Sequence, residues 1–400
     1  MNTQSLLKGF EVELFTGHWT GENVGVSSEV ADELQGFVTE PDQRNLEFIT
    51  TPDSDYEALR HALLVPRKSL RQWLSPKGLT LLPGSTLSLG DSKHFKRSDP
   101  NNPYHELIEN TYGTRVVTAS VHINLGINDP ILLFAALRLV RCEAALLLSL
   151  SASSPFLSGQ ITGFHSQRWR QFPITPADIP FFLSHRHFVE WTEQQLRNGE
   201  MWNERHLWTS VRPNGPKRPY ELNRVELRIC DLMTDPSTLL AVTALFELRV
   251  LNLINNPEKL DPIHASSLST EELTKLSHLN DMAAAENSLD ATLHHWKDGK
   301  PIQCRDWIKK LLEEVLPMAN ELNLNEQLMP LQGILEHGNQ AMRWLRSIQE
   351  GQSLEEVFQA GIIAMANEEA LDLNKKTKPF GMIEDHALDQ LRRSADAPLP

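Results

Sequence analysis

The sequence predicts an α+β fold, a sheet drawn from the first part of the chain, packed with helices and followed by a helical C-terminal region. Two observations lead there. Short segments of alternating apolar and polar residues, punctuated by Pro and Gly, dominate residues 1–235, whereas apolar residues recur at three-to-four spacing from Asp235 onward. Strands and helices do not alternate regularly, which argues against a doubly wound parallel sheet.

Taken in order, Phe10–Phe15, Leu46–Thr50, Val116–Leu125 and Val225–Ile229 read as strands. The apolar segment from Pro130 to about Ala152, whose charges are Arg138, Arg141 and Glu143, reads as a buried helix with Pro130 in its first turn. Helices are expected over Ser237–Ile254, Ser269–His295, Cys304–Leu322, Asn325–Gly338 and Ser353–Ala366, with strands nearly absent. Residues 1–393 are expected to form a single domain, sheet-rich over 1–235 and helical over 236–393. The tail 394–400, Ser-Ala-Asp-Ala-Pro-Leu-Pro, is expected to be disordered.

The 400 residues are 40% hydrophobic and 22% charged, a globular composition. A net charge of −14 repels polyanions and argues against nucleic acid as a partner. A phosphate-bearing small molecule stays open, since a local Arg cluster or a divalent cation can reverse the field in one cleft. Cys142, Cys230 and Cys304 form neither a disulfide framework nor a CxxC pair, which fits the cytoplasm. No secretory signal is visible after Met1, and the uncharged run Ala144–Phe164 is broken by serines, Pro155 and Gly159, so no membrane span is expected there.

The polar faces of the strands carry the chemistry. In Phe10-Glu11-Val12-Glu13-Leu14 a period of two sets Glu11 and Glu13 opposite an apolar face. The same logic leaves Glu47 between Leu46 and Phe48, His122 and Asn124 around Ile123, and Glu226 and Arg228 around Leu227. A solvated sheet face would mix Thr, Lys, Glu and Gln. Carboxylates gathered with an imidazole need cations to offset their repulsion, and oxygen-rich sites suit Mg2+ or Mn2+ shared with substrate phosphates. Any one strand alone reads as an exposed polar face; four together point to a site. No GxxxxGK[ST], GxGxxG, GxSxG or HExxH motif competes. The turn-rich Asn214-Gly215-Pro216-Lys217-Arg218-Pro219 could cover phosphates with Lys217 and Arg218, and Arg168 and Arg212 could grip a substrate carboxylate.

Gly9-Phe10-Glu11-Val12-Glu13, His122-Ile123-Asn124-Leu125-Gly126-Ile127, Leu150-Ser151-Ala152-Ser153-Ser154-Pro155-Phe156, Thr162-Gly163-Phe164 with Arg168, Val211-Arg212-Pro213 and Glu226-Leu227-Arg228-Ile229-Cys230-Asp231 follow in the order found in glutamate-cysteine ligases. Glu286-Asn287-Ser288-Leu289-Asp290 and His337-Gly338-Asn339-Gln340-Ala341-Met342-Arg343 extend the match. The chain resembles the cyanobacterial-type branch, related to the broader carboxylate-amine ligases. The resemblance implies a curved antiparallel sheet like the glutamine synthetase catalytic domain, with ATP and divalent metals on its concave face. It implies that ATP phosphorylates the side-chain carboxylate of L-glutamate and that the amine of L-cysteine attacks the acyl phosphate, giving γ-glutamylcysteine, the precursor of glutathione. By the same resemblance, Glu11, Glu13, Glu47 and Glu226 are metal ligands with His122 beside the metal, and Arg228 stabilises the transferring phosphoryl group. Arg168 and Arg212 hold substrate carboxylate or phosphate. Asn124, counted with them among the substrate-binding residues, stands where relatives often carry a second His. Two other readings stay open: a ligase for another amine acceptor, and a non-catalytic binding protein of the same fold.

Overall fold

In a computed structural model, which describes residues 4–371, seven strands form one antiparallel sheet: β1 (Lys8–Gly17), β2 (Phe37–Thr39), β3 (Asn45–Ile49), β4 (Thr80–Leu82), β5 (Val121–Gly126), β6 (Val211–Asn214) and β7 (Arg224–Leu227). The order is β2-β3-β1-β5-β7-β6, with β4 also paired to β1. The expected α+β class holds, and all seven strands precede residue 228. The tail 394–400 lies outside the described residues.

Alternation fixes the faces. Phe10, Val12 and Leu14 of β1, Val121, Ile123 and Leu125 of β5, and Val225 and Leu227 of β7 are all buried in one core with Leu46 and Phe48 of β3. Helices α1 (Tyr56–Leu74), α2 (Pro103–Tyr112), α3 (Pro130–Ser151), α4 (Gln167–Gln171) and α5 (His185–Arg197) lie between strands, and α6 (Pro236–Asn255) follows them. In α3 the Asp129 carboxylate accepts from the Ile131 and Leu132 N–H groups, with Pro130 at the first helical position. Two of its charges are paired inside the core, Arg138 with Asp261 at 2.5 Å and Glu143 with Arg249 of α6 at 2.7 Å, while Arg141 donates to the Ile179 and Pro180 carbonyls. Helix α6 is long and apolar enough to cross a membrane, yet 78% of its apolar window is buried in the protein.

The segment read as one helix over Ser269–His295 divides. A capping box of Ser269 and Glu272 starts α7 (Thr270–Asn287) as the sequence implies. Ser288 then takes φ 43°, ψ −117°, which ends the helix, and Thr292–His294 pairs with Pro301–Gln303 as a hairpin. The strand expected from Val116 begins only at Val121, after a 3-10 turn over Gly113–Val116.

Candidate active site

Cross-strand register assembles the site. Glu11 pairs with His122, Glu13 with Glu47, and Glu226 with both Asn124 and Arg212, so their side chains share the face opposite the core. Above this face lies a cavity of about 340 Å3 lined by Glu11, Glu13, Glu40, Glu47, His122, Arg168, Arg205, Arg212 and Arg228, with Glu226 behind its wall.

Two overlapping sets of metal-competent groups occur there. Ligand atoms of Glu11, Glu47 and His122 lie within 4.8 Å of one another, as do those of Glu13, Glu40 and Glu47. His122 Nδ1 stands 3.0 Å from Glu11 Oε2, and its Nε2 stands 3.7 Å from Glu13 Oε1. Burial and the neighbouring Glu11, Glu40 and Glu13 push the Glu47 carboxyl well above its usual range. Burial and Glu13 push Glu40 up to about 8. Carboxyls held protonated by like-charged neighbours are what a divalent cation would relieve, and an oxygen-rich set with one imidazole suits Mg2+ or Mn2+. The residues therefore fit the metal that the strand faces predict.

Beside them sits an arginine cage. Glu226, with a fully buried side chain, accepts from Arg212 Nε at 2.8 Å, Arg212 Nη2 at 3.0 Å, Asn214 Nδ2 at 2.6 Å and Arg228 Nη1 at 2.5 Å. Burial opposes its charge, but Arg212, Arg228 and His122 outweigh it and hold the carboxyl well below the usual range. The loop between β6 and β7 brings in Arg218, whose Nη1 stands 3.9 Å from Glu226. Arg218 Nε and Nη1, Arg228 Nε and Arg168 Nε are buried without hydrogen-bond partners. The unsatisfied N–H groups of Arg218 and Arg228 beside Glu226 would be completed by a second anion.

The other expected residues fall as follows. Asn124 donates to Glu11 Oε1 at 3.1 Å and accepts from Arg224 at 3.0 Å, so it steadies a carboxylate. Arg212 lines the cavity, but its fork is engaged by Glu226 and by the Arg205 and Leu207 carbonyls. Arg168 also lines the cavity, with its terminal nitrogens on the Ile229 and Arg228 carbonyls. Lys217 is exposed on the loop, outside the cavity lining.

Sequence reasoning missed Glu40, which follows the three-residue β2 and precedes Pro41, where no run of alternation marks a face. It also missed Arg205, carried on the 3-10 turn Glu204–His206, and Tyr104 of α2, which line the same cavity. The cluster Glu40-Pro41-Asp42 was the one available signal for Glu40.

The sequence profile described as Glutamate-cysteine ligase family 2 matches residues 7–360. The chain is 27% identical over 287 residues to glutamate--cysteine ligase 2-1 of Rubrobacter xylanophilus, covering 69% of this chain and 71% of that protein. It is 25% identical over 328 residues to glutamate--cysteine ligase 2 of Gloeobacter violaceus, covering 80% and 84%. Both names are provisional. A solved structure of glutamate–cysteine ligase from Francisella tularensis in complex with AMP shares the fold, with a TM-score of 0.70 at 13% identity over 98% of each chain. Since the matched stretch takes in every strand of the sheet and the cluster on its polar face, this chain belongs to Glutamate-cysteine ligase family 2.

Proposed function

We propose that the protein uses ATP and Mg2+, with Mn2+ as a substitute, to join the side-chain carboxylate of glutamate to the amine of cysteine through a γ-glutamyl phosphate, giving γ-glutamylcysteine for glutathione synthesis. The family and the names of its relatives support a carboxylate-amine ligase role. The observation that carries the finer reading is the juxtaposition, in one cavity over the sheet, of metal-competent carboxylates with the buried Arg228, whose Nε lacks a partner. Phosphoryl transfer needs both, because catalysis there is largely positioning and charge stabilisation.

In this reading Glu11, Glu13, Glu40, Glu47 and His122 hold the cations, while Glu226, expected from the sequence to join them, has both oxygens taken by Arg212, Asn214 and Arg228 and aligns the arginines instead. A bound Mg2+ supplies neutralisation of charge on the phosphate oxygens. Arg228, its guanidinium aligned by Glu226 at 2.5 Å, meets the transferring group with its unpartnered Nε. Arg218 offers two further donors toward nucleotide phosphate, with Lys217 at the loop's outer edge. Arg205 and Arg212 keep the wall electropositive where amino-acid carboxylates enter. The AMP complex of the Francisella protein supports adenine-nucleotide use.

The test is product analysis. The protein with glutamate, cysteine, ATP and magnesium should release ADP and phosphate and accumulate γ-glutamylcysteine, and 2-aminobutyrate should replace cysteine with some turnover because the amine is the nucleophile. AMP as product would overturn the acyl-phosphate route. ADP release with other amines but never with cysteine would transfer the assignment to another carboxylate-amine ligase.

A further inference from the structure

We infer that Arg168 is a positioning residue that sets the aim of Arg228 by clamping a β-bulge just past the end of β7, an inference that rests on the phosphoryl role given to Arg228 above. The bulge follows from register. Ile123 pairs with Leu227 and, past the ends of both strands, Ser120 bridges Asp231, so three steps on the β5 side face four on the β7 side. The extra residue falls within Arg228–Cys230. Bulges of this kind re-aim a side chain and leave ladder groups unpaired.

The unpaired groups have specific partners. On the donor side, the Arg228 and Ile229 N–H groups both turn to the Ser210 carbonyl, at 2.8 Å and 3.1 Å. On the acceptor side, Arg168 Nη2 donates to the Arg228 carbonyl at 2.9 Å and Nη1 to the Ile229 carbonyl at 3.0 Å. One planar fork thus satisfies the carbonyls of two consecutive residues. An ammonium, a single point of charge, does not reproduce that geometry.

The clamp is itself fixed. Arg168 is 2% exposed, and its Nη1 stands 3.8 Å from the fully buried Asp231 carboxylate. Asp231 accepts from Ser153 N at 2.9 Å, Ser154 Oγ at 2.7 Å and Ser166 Oγ at 2.8 Å, and Ser154 Oγ accepts from the Arg168 N–H at 3.1 Å. Ser166 caps α4, the short helix that carries Arg168. The segment after α3, the start of α4 and the bulged strand therefore meet at one carboxylate. Two family-ordered blocks, Ser153-Ser154 and Arg168, thus act through the third, Arg228-Ile229-Cys230-Asp231, with both Arg168 Nη atoms spent on the clamp and only its Nε left without a partner.

A double-mutant cycle on ADP release tests this. Arg168→Lys should lower kcat by roughly tenfold or more with the glutamate KM within about twofold, and Arg168→Lys/Arg228→Lys should be no slower than Arg228→Lys alone. Multiplying losses, or a raised glutamate KM at unchanged kcat, would overturn the clamp and return Arg168 to substrate binding. Hydrogen exchange supplies a readout independent of turnover. In Arg168→Lys the Arg228 and Ile229 amides should exchange faster while those of β1 and β3 keep their protection; unchanged exchange at Arg228 and Ile229 overturns the proposal. Wild-type protein inactive with every amine would sink the ligase reading, and the clamp would then stand or fall on exchange alone. Should Arg168→Lys not fold, Asp231→Asn is read in the same two ways.

Discussion

Glu226 serves two masters, and its environment decides what a substitution there can report. Its carboxylate offsets Arg212 and Arg228 inside the protein and stands beside Arg218. Glu226→Gln should therefore lose turnover and also destabilise the fold, by about 3–5 kcal/mol, because the arginines are left buried without their counterion. Glu40 and Glu13 are cleaner probes of metal. Glu40→Gln removes one carboxyl from a set that repels itself, so the thermal midpoint without metal should hold or rise, while the upward shift on adding Mg2+ should shrink. A magnesium shift equal to wild type would remove Glu40 from the ligand set. Arg228→Lys should cost kcat more than glutamate KM, since an ammonium cannot spread its donors over a transferring phosphoryl group; a loss confined to KM would make Arg228 a substrate-binding group. At this scale the sequence was most legible where strands are long. Alternation exposed Glu11, Glu13, Glu47, His122 and Glu226, whereas Glu40 directly follows a three-residue strand too short to show a face, and its carboxylate reaches the site only through tertiary placement.

At the scale of elements, pattern reading worked where one face is buried and failed where local backbone intervened. Alternation gave β1, β3, β5 and β7 to within a few residues, apart from the late start of β5, and apolar spacing gave α3, α6 and the helix Cys304–Leu322. It ran past the end of α7 because the apolar spacing continues through Leu289 and Leu293, whose burial is now known to come from a 3-10 turn and a strand. The 3-10 turn Glu204–His206 was equally invisible, yet it holds a titrating element. His206 is buried, accepts the Trp202 N–H at Nδ1 and lies 3.0 Å from the Tyr112 hydroxyl at Nε2. Burial lowers its pKa from 6.5 to about 4. Between those values the unfolded chain binds the proton and the folded chain does not, so stability is lost as pH falls through that window. The contribution is on the order of 3 kcal/mol. Urea unfolding at pH 7 and pH 4.5 should show a smaller acid loss in His206→Phe than in wild type, and equal losses would mean that His206 is not the titrating group.

The whole molecule is tied together by charges buried between its layers, and the least expected of these is Lys8. Alternation puts Lys8 on the apolar side of β1 with Phe10 and Val12, a position no hydrophobic pattern assigns to lysine. The structure accounts for it. Lys8 Nζ lies 2.9 Å from Glu247 of α6, both side chains fully buried, and Glu247 also accepts from the Tyr56 hydroxyl of α1 at 2.7 Å and from the Leu6 N–H at 2.7 Å. One carboxylate thus joins the leading edge of the central strand to two helices, three residues before Glu11 enters the site. Burial lowers the Lys8 pKa against the pull of Glu247, as expected for an ammonium removed from water. Such a pair adds little net stability, because the desolvation of two charges consumes most of their attraction, but losing one partner strands the other. Lys8→Met alone should cost about 3–5 kcal/mol in urea unfolding, whereas Lys8→Met/Glu247→Leu should recover most of that loss. If the double variant is destabilised by the sum of its single variants, the two residues act independently and the pair does not tie β1 to α6. If it recovers stability but loses turnover, the buried charge is retained to set the register of β1, and with it the spacing of Glu11 and Glu13 beneath the cavity, rather than to hold the fold.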